Sequence, residues 1–93
     1  MNRVALITGG ARGIGRAIAL ALAESGWDVT ICYRTSEQDA KEVLKKILEA
    51  GRRGLAIQCD VSDPEAAERM VRQVEQERGR IDALVNGAGP YHR

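Results

Sequence analysis

Phenylalanine is absent, and the aromatic inventory ends at one Trp and two Tyr. The core must therefore be aliphatic, drawn from the Ala, Val, Ile and Leu behind an apolar share of 44%. Neither sign of charge is in excess: fourteen basic and thirteen acidic residues leave a formal charge of +1. That balance lacks the electrostatic footprint of a nucleic-acid or anionic-membrane binder, and Arg52-Arg53 reads as a solvated loop. No apolar run approaches the ~20 residues of a membrane-spanning helix. The first such run breaks at Gly9, too early for a signal-peptide core. A soluble, cytoplasmic protein is expected.

Metal chemistry is equally poorly supplied. The two cysteines, Cys32 and Cys59, lie far apart inside apolar strand-like runs, where a thiol usually serves as a small buried hydrophobe. The sole histidine, His92, stands one residue from the end of the 93-residue chain and reads as frayed tail. No metal ligand is assigned.

What the chain does have is alternation. Short β-like runs exchange with longer helical patterns, the mark of βαβ units and a parallel sheet. Strands are expected at Val4–Ile7, Val29–Tyr33, Leu55–Cys59 and Ile81–Val85. Between them, apolar residues recur at helical spacing: Ile14, Ala17, Ile18, Ala21 and Leu22; then Ala40, Val43, Leu44, Ile47 and Leu48; then Ala66, Ala67, Met70, Val71 and Val74. Gly26, Gly51 and Gly79 mark the helix ends. Ser36, with Asp39 three residues on, suggests a capping-box variant, and Ser62-Asp63-Pro64-Glu65 a capped start with an early proline. Residues 1–93 are read as one α/β domain, the first half of a Rossmann-type doubly wound parallel sheet. Right-handed crossovers give the strand order 3-2-1-4, with the first two helices on one face and the third on the other. Leu84 and its neighbours should then stay partly bare. A covering surface is needed, and a homo-oligomer is expected.

Ligands bind such sheets beyond the carboxyl ends of the strands, where the strand order reverses. Thr8-Gly9-Gly10-Ala11-Arg12-Gly13-Ile14-Gly15 falls there, between the first strand and the first helix. Gly9 would turn the chain sharply, Gly13 would clear space for a pyrophosphate, and Gly15 would let the helix pack close to the sheet. Free N–H groups in the first helical turn, around Ile14, would face the phosphates. A P-loop is excluded, because no Gly-Lys-Ser/Thr follows.

The spacing Gly9-x-x-x-Gly13-x-Gly15 resembles the short-chain dehydrogenase/reductase family. The run Ala5 to Gly15 is especially similar to the family's 3-oxoacyl-(acyl-carrier-protein) reductase branch. Cys59-Asp60-Val61-Ser62 resembles the motif ending the family's third strand, and Asn86-Gly87-Ala88-Gly89 its fourth-strand motif. The resemblance implies that Asp60, beside Val61, bonds the adenine amino group. It also implies that Asn86, Ala88 and Gly89 lie by the cofactor ribose and brace the sheet. Gly87 departs from the pattern, since the family more often has a second Asn there.

NAD-binding versions of this fold end the second strand with an acidic side chain that bonds the ribose 2′-hydroxyl. Here that position is Tyr33, and residues 29–36 contain no Asp or Glu. Arg34 follows at once, and Arg12 sits in the glycine loop. Both would converge on a 2′-phosphate, which a guanidinium can grip with two parallel hydrogen bonds. NADP(H) is favoured over NAD(H). A methyltransferase would want a carboxylate at this strand end, which Tyr33-Arg34 does not supply.

The family's chemistry uses a Tyr-x-x-x-Lys pair with a Ser and an Asn on a carbonyl or alcohol substrate. Neither Tyr33 nor Tyr91 is followed by a lysine at the required distance, so no catalytic residue is assigned. Two readings stand: the cofactor-binding portion of a hydride-transferring oxidoreductase, or a non-catalytic nucleotide-binding or interaction module.

Overall fold

In a computed structural model describing residues 2–87, strands and helices alternate strictly. They are β1 (Val4–Thr8), α1 (Gly13–Glu24), β2 (Asp28–Tyr33), α2 (Glu37–Glu49), β3 (Gly54–Gln58), α3 (Pro64–Arg78) and β4 (Ala83–Asn86). The strands form one parallel sheet in the order β3-β2-β1-β4, as the crossover rule requires. All five residues of β1 are buried, as expected of a central strand covered on both faces.

Alternation of side chains across the sheet makes two cores. Ile7, Val29 and Ile31 pack against Ala19, Ala23, Ala40, Val43 and Ile47 of α1 and α2. On the opposite face, Val4, Leu6, Cys32 and Cys59 meet Met70 and Val74 of α3. The largest fully buried side chains include Leu6, Ile7, Ile31, Ile47, Val29, Val43 and Val74, with no aromatic among them. Trp27 stays partly buried at the edge of the first core, with the Arg3 guanidinium 5.7 Å from its ring centroid. The expectation of bare sheet beyond α3 is met at Leu84, which is 63% exposed.

Glycines stop the helices for a visible reason. Gly26 and Gly51 take positive φ, 97° and 80°, and the residue after each reaches back into the last turn. Trp27 N–H donates to Leu22 C=O at 3.0 Å, and Arg52 N–H to Ile47 C=O at 3.3 Å, the six-to-one bond of a Schellman ending. Gly79, φ 84°, closes α3. At the start of α3, the Asp63 carboxylate accepts from Glu65 N–H at 3.1 Å, with Pro64 in the first helical position.

Three expectations need correction. Ser36 occupies the N-cap position of α2, but its hydroxyl makes no capping bond. The Glu37 N–H, at the first helical position, donates to Thr35 C=O at 3.0 Å. In α1 the buried stripe is Gly15, Ala19 and Ala23, the small residues that let the helix lie close to the sheet, and Ile14 is left 75% exposed. Finally, β4 starts at Ala83 and not Ile81. Asp82 exchanges two bonds with Val4: its N–H donates to Val4 C=O and its carboxylate accepts from Val4 N–H, both at 2.8 Å. Ile81 packs beneath, against the α3 core.

Candidate functional site

The carboxyl ends of β1, β2, β3 and β4 carry Thr8, Tyr33, Gln58 and Asn86, and the glycine loop crosses above them. Gly9 and Gly10 both donate to Cys32 C=O, at 2.9 and 3.2 Å, which folds the loop over the end of β2. Beside it opens a cleft of about 360 Å³ lined by Gly9, Cys32, Tyr33, Arg34, Cys59, Asp60, Val61 and Ser62. That volume is at the small end of ordinary ligand pockets.

Each loop glycine answers a different constraint. Gly9 turns the chain with φ 67°. A Cβ on Gly10 would lie 2.6 Å from Ile31 Cγ2, so the loop can rest on β2 only without a side chain there. Gly13, φ 59°, has nothing within 4 Å of where its Cβ would be. Its left-handed backbone therefore faces open space, the condition for close approach of a ligand to the chain. Gly15 is the tightest: a Cβ would sit 2.1 Å from Gly9 C=O. It packs helix against loop backbone rather than against the sheet, which refines the role expected of it. No acidic residue occupies the first turn of α1, so the positive end of its dipole is not offset there.

The Thr8 hydroxyl donates to Asn86 Oδ1 at 2.8 Å, tying the end of β1 to the end of β4. Gly87 N–H then donates to Thr8 C=O at 2.9 Å. A Cβ on Gly87 would lie 2.8 Å from that oxygen and 3.0 Å from Gly15 Cα, so a side chain there would require a neighbour to shift.

Asp60 projects from the turn after β3. Its Oδ1 accepts from Ser62 N–H at 3.0 Å and from the Ser62 hydroxyl at 2.7 Å. These two bonds, with a smaller contribution from the Arg34 guanidinium, hold its carboxyl below the ordinary carboxylate range. Cys32 behaves oppositely. Burial, reinforced by Cys59 and Asp60, pushes its thiol up to about 12, and its Sγ donates to Cys59 C=O at 3.5 Å. Both cysteines are free and buried, so they form the apolar floor of the cleft.

Gly9, Tyr33, Arg34, Asp60 and Val61 thus line one cleft. Arg12 does not: it is the extended N-cap of α1, φ −145°, and its Nε lies 3.7 Å from Asp39 in the first turn of α2. Gly13, Ile14 and Gly15 open α1 beside the loop, and Asn86 lies across it. Ala88 and Gly89 fall outside the described residues. Sequence reasoning passed over Gly10 and Ser62. The Gly-Gly pair after an apolar run and the Asp-x-Ser spacing of an Asx turn were the available signals. Among the described residues, no cluster of three or more His, Cys, Asp or Glu could hold a metal ion. Nor is any helix there long and apolar enough to cross a membrane.

Comparison with known proteins matches residues 3–93 to the short chain dehydrogenase family. The chain is 43% identical over 89 residues to the 3-oxoacyl-(acyl-carrier-protein) reductase FabG of Staphylococcus epidermidis, covering 96% of this chain and 36% of that protein. A short chain dehydrogenase from Burkholderia cenocepacia, solved in complex with NADP, superposes with a TM-score of 0.92 at 47% identity, over 98% of this chain and 37% of that one. An acetoin dehydrogenase from Enterobacter cloacae gives a TM-score of 0.91 at 36% identity, over all of this chain and 37% of the other. The present chain therefore spans little more than a third of the relatives it resembles.

Proposed function

Because this chain belongs to the short-chain dehydrogenase family, we propose that it forms the NADP(H)-binding portion of an oxidoreductase acting on a small carbonyl or alcohol substrate. The observation that carries this reading is the cleft at the strand ends, where Arg34 stands beside Tyr33 and no carboxylate ends β2. An acidic group at that position would bond a free 2′-hydroxyl and repel a 2′-phosphate, whereas Arg34 attracts the phosphate.

The residues fit the group. Gly13 offers bare backbone facing open space, and the α1 N-terminus around Ile14 and Gly15 offers unpaired N–H groups for a pyrophosphate. Gly9 shapes the loop above it. Arg34, in the cleft, would hold the 2′-phosphate with Tyr33 alongside, and the exposed Arg12 side chain, outside the cleft lining, would swing from Asp39 to reach it. Asp60, ionised and fixed by Ser62, accepts from the adenine amino group next to Val61. Asn86 keeps β4 against β1 beneath the nicotinamide ribose, with Ala88 and Gly89 following it in sequence. The nicotinamide, when bound, donates or accepts a hydride. These 93 residues contain no Tyr-x-x-x-Lys pair, so they bind and orient, and no proton-transfer group is assigned among them. The exposed Leu84 of β4 supports a further covering surface, and a homo-oligomer would supply one.

Fluorescence titration of the protein, as its source cell makes it, with NADPH, NADH and S-adenosylmethionine tests the reading. NADPH should bind most tightly. Equal affinity for NADPH and NADH would overturn the 2′-phosphate assignment, and preference for S-adenosylmethionine would overturn the family chemistry for this chain.

A further inference from the structure

We propose that Asp39 sets how strongly this site prefers a nucleotide carrying a 2′-phosphate, by holding the Arg12 guanidinium whenever that phosphate is absent. The inference rests on Arg12 being a phosphate ligand, as read above.

Arg12 caps α1 and Asp39 lies in the first turn of α2, so the pair bridges the starts of two helices that both begin at the carboxyl edge of the sheet. Asp39 is also one of the two acidic residues in the first turn of α2, and an Asn substitution keeps its shape. Arg12 makes no side-chain capping bond, and the N-cap of α2 is Ser36. The contact is single, Nε to Oδ2 at 3.7 Å, with the side chains 75% and 46% exposed. A guanidinium carries five N–H donors, and a carboxylate on the Nε edge leaves the terminal nitrogens facing outward.

Two consequences follow from charge. With NAD(H) bound, no phosphate reaches Arg12, and Asp39 neutralises a guanidinium that would otherwise stand uncompensated. With NADP(H) bound, the 2′-phosphate must draw Arg12 away from Asp39 or share it, against repulsion from the same carboxylate. Because the pair is the same in the free and NAD(H)-bound protein, only the second effect changes an affinity, and it narrows the gap between the two nucleotides. An exposed ion pair is worth a factor of about two to five in an equilibrium, which bounds the effect. Asp39 tunes the preference and does not create it.

The test measures dissociation constants for NADPH and NADH on the protein as its source cell makes it, in wild type, Asp39→Asn, Arg12→Ala and the double variant. Asn keeps the shape of Asp39 and removes its charge. Asp39→Asn should tighten NADPH about two- to five-fold and leave NADH unchanged, with a larger effect at low salt. The gain should vanish when Arg12→Ala is present. If Arg12→Ala weakens NADPH but Asp39→Asn does nothing, weakens it, or acts equally without Arg12, the role of Asp39 is overturned while the reading of Arg12 stands. If Arg12→Ala leaves both nucleotides unaffected, Arg12 is no phosphate ligand and the inference falls with that reading.

Discussion

The two ends of the same four-stranded sheet treat their polar groups in opposite ways. At the amino end most of them satisfy one another, although the buried Arg78 Nε has no hydrogen-bond partner. Val4 and Asp82 exchange two bonds, Arg53 N–H donates to the Asp28 carboxylate at 3.1 Å, and the Arg78 guanidinium donates to Gly54 C=O at 3.0 Å. Arg52 reaches Gly26 C=O at 3.1 Å, capping the turn after α1. At the carboxyl end the backbone is stripped to glycine, and Arg34 and Asp60 are turned outward around a cleft. An aspartate serves each end. Asp82 binds strand to strand, while Asp60 spends one oxygen on its own turn. Buried polar groups usually find partners, and the charged groups left facing a cleft at the carboxyl end are the ground on which the nucleotide site is proposed there.

Substitutions can separate the two ends. Gly15→Val should do most, because even its Cβ would collide with Gly9 C=O. The collision is with backbone and cannot be relieved by a rotamer change. Its cost should lie at or beyond the upper end of the ~1–3 kcal/mol typical of overpacking. Thermal unfolding should show a lowered midpoint, and titration should show both nucleotides lost; retained NADPH affinity would mean the loop does not carry the ligand.

Arg34→Ala comes next. It should weaken NADPH by about 1–3 kcal/mol, typical of a hydrogen bond to a charged group, with NADH and the unfolding midpoint almost unmoved. Equal losses for both nucleotides would sink the assignment.

Asp82→Asn should act least on binding, and at the other end. The Arg80 and Val4 N–H hydrogen bonds hold the Asp82 carboxyl below its ordinary value of 3.8. Stability from a depressed carboxyl is present above its unfolded pKa and is lost as pH falls through the folded one. The wild type should therefore lose stability below about pH 4 more steeply than Asp82→Asn, measured by unfolding at a series of pH values. Nucleotide preference should be the same in both. A changed preference would mean that the two ends are not independent.

Most of this arrangement was legible from residues that act locally. Gly26, Gly51 and Gly79 declared the helix ends because each needs a positive φ, and the right-handed crossover turned the element order into the strand order 3-2-1-4. What could not be read depends on partners distant in sequence. The start of β4 is set by Val4, the need for Gly10 by Ile31, and the position of Arg12 by Asp39. Ser36 failed for a nearer reason: its backbone, φ −87° and ψ 60°, departs from the extended geometry typical of a capping residue whose hydroxyl serves the first turn.

The interlock of Thr8, Gly15 and Gly87 bears on how the chain comes into being. The glycine loop is synthesised about seventy residues before Asn86 and Gly87, yet it packs against Gly87 and is tied through Thr8 to Asn86. β1, the strand that carries the loop, lies between β2 and β4, and only the first of those neighbours follows it closely in sequence. Long-range parallel pairing is slow to form because its closure entropy must be met before any contact rewards it. The glycine loop is therefore made well before the last of its partners, and it should take its final shape only when β4 joins the sheet.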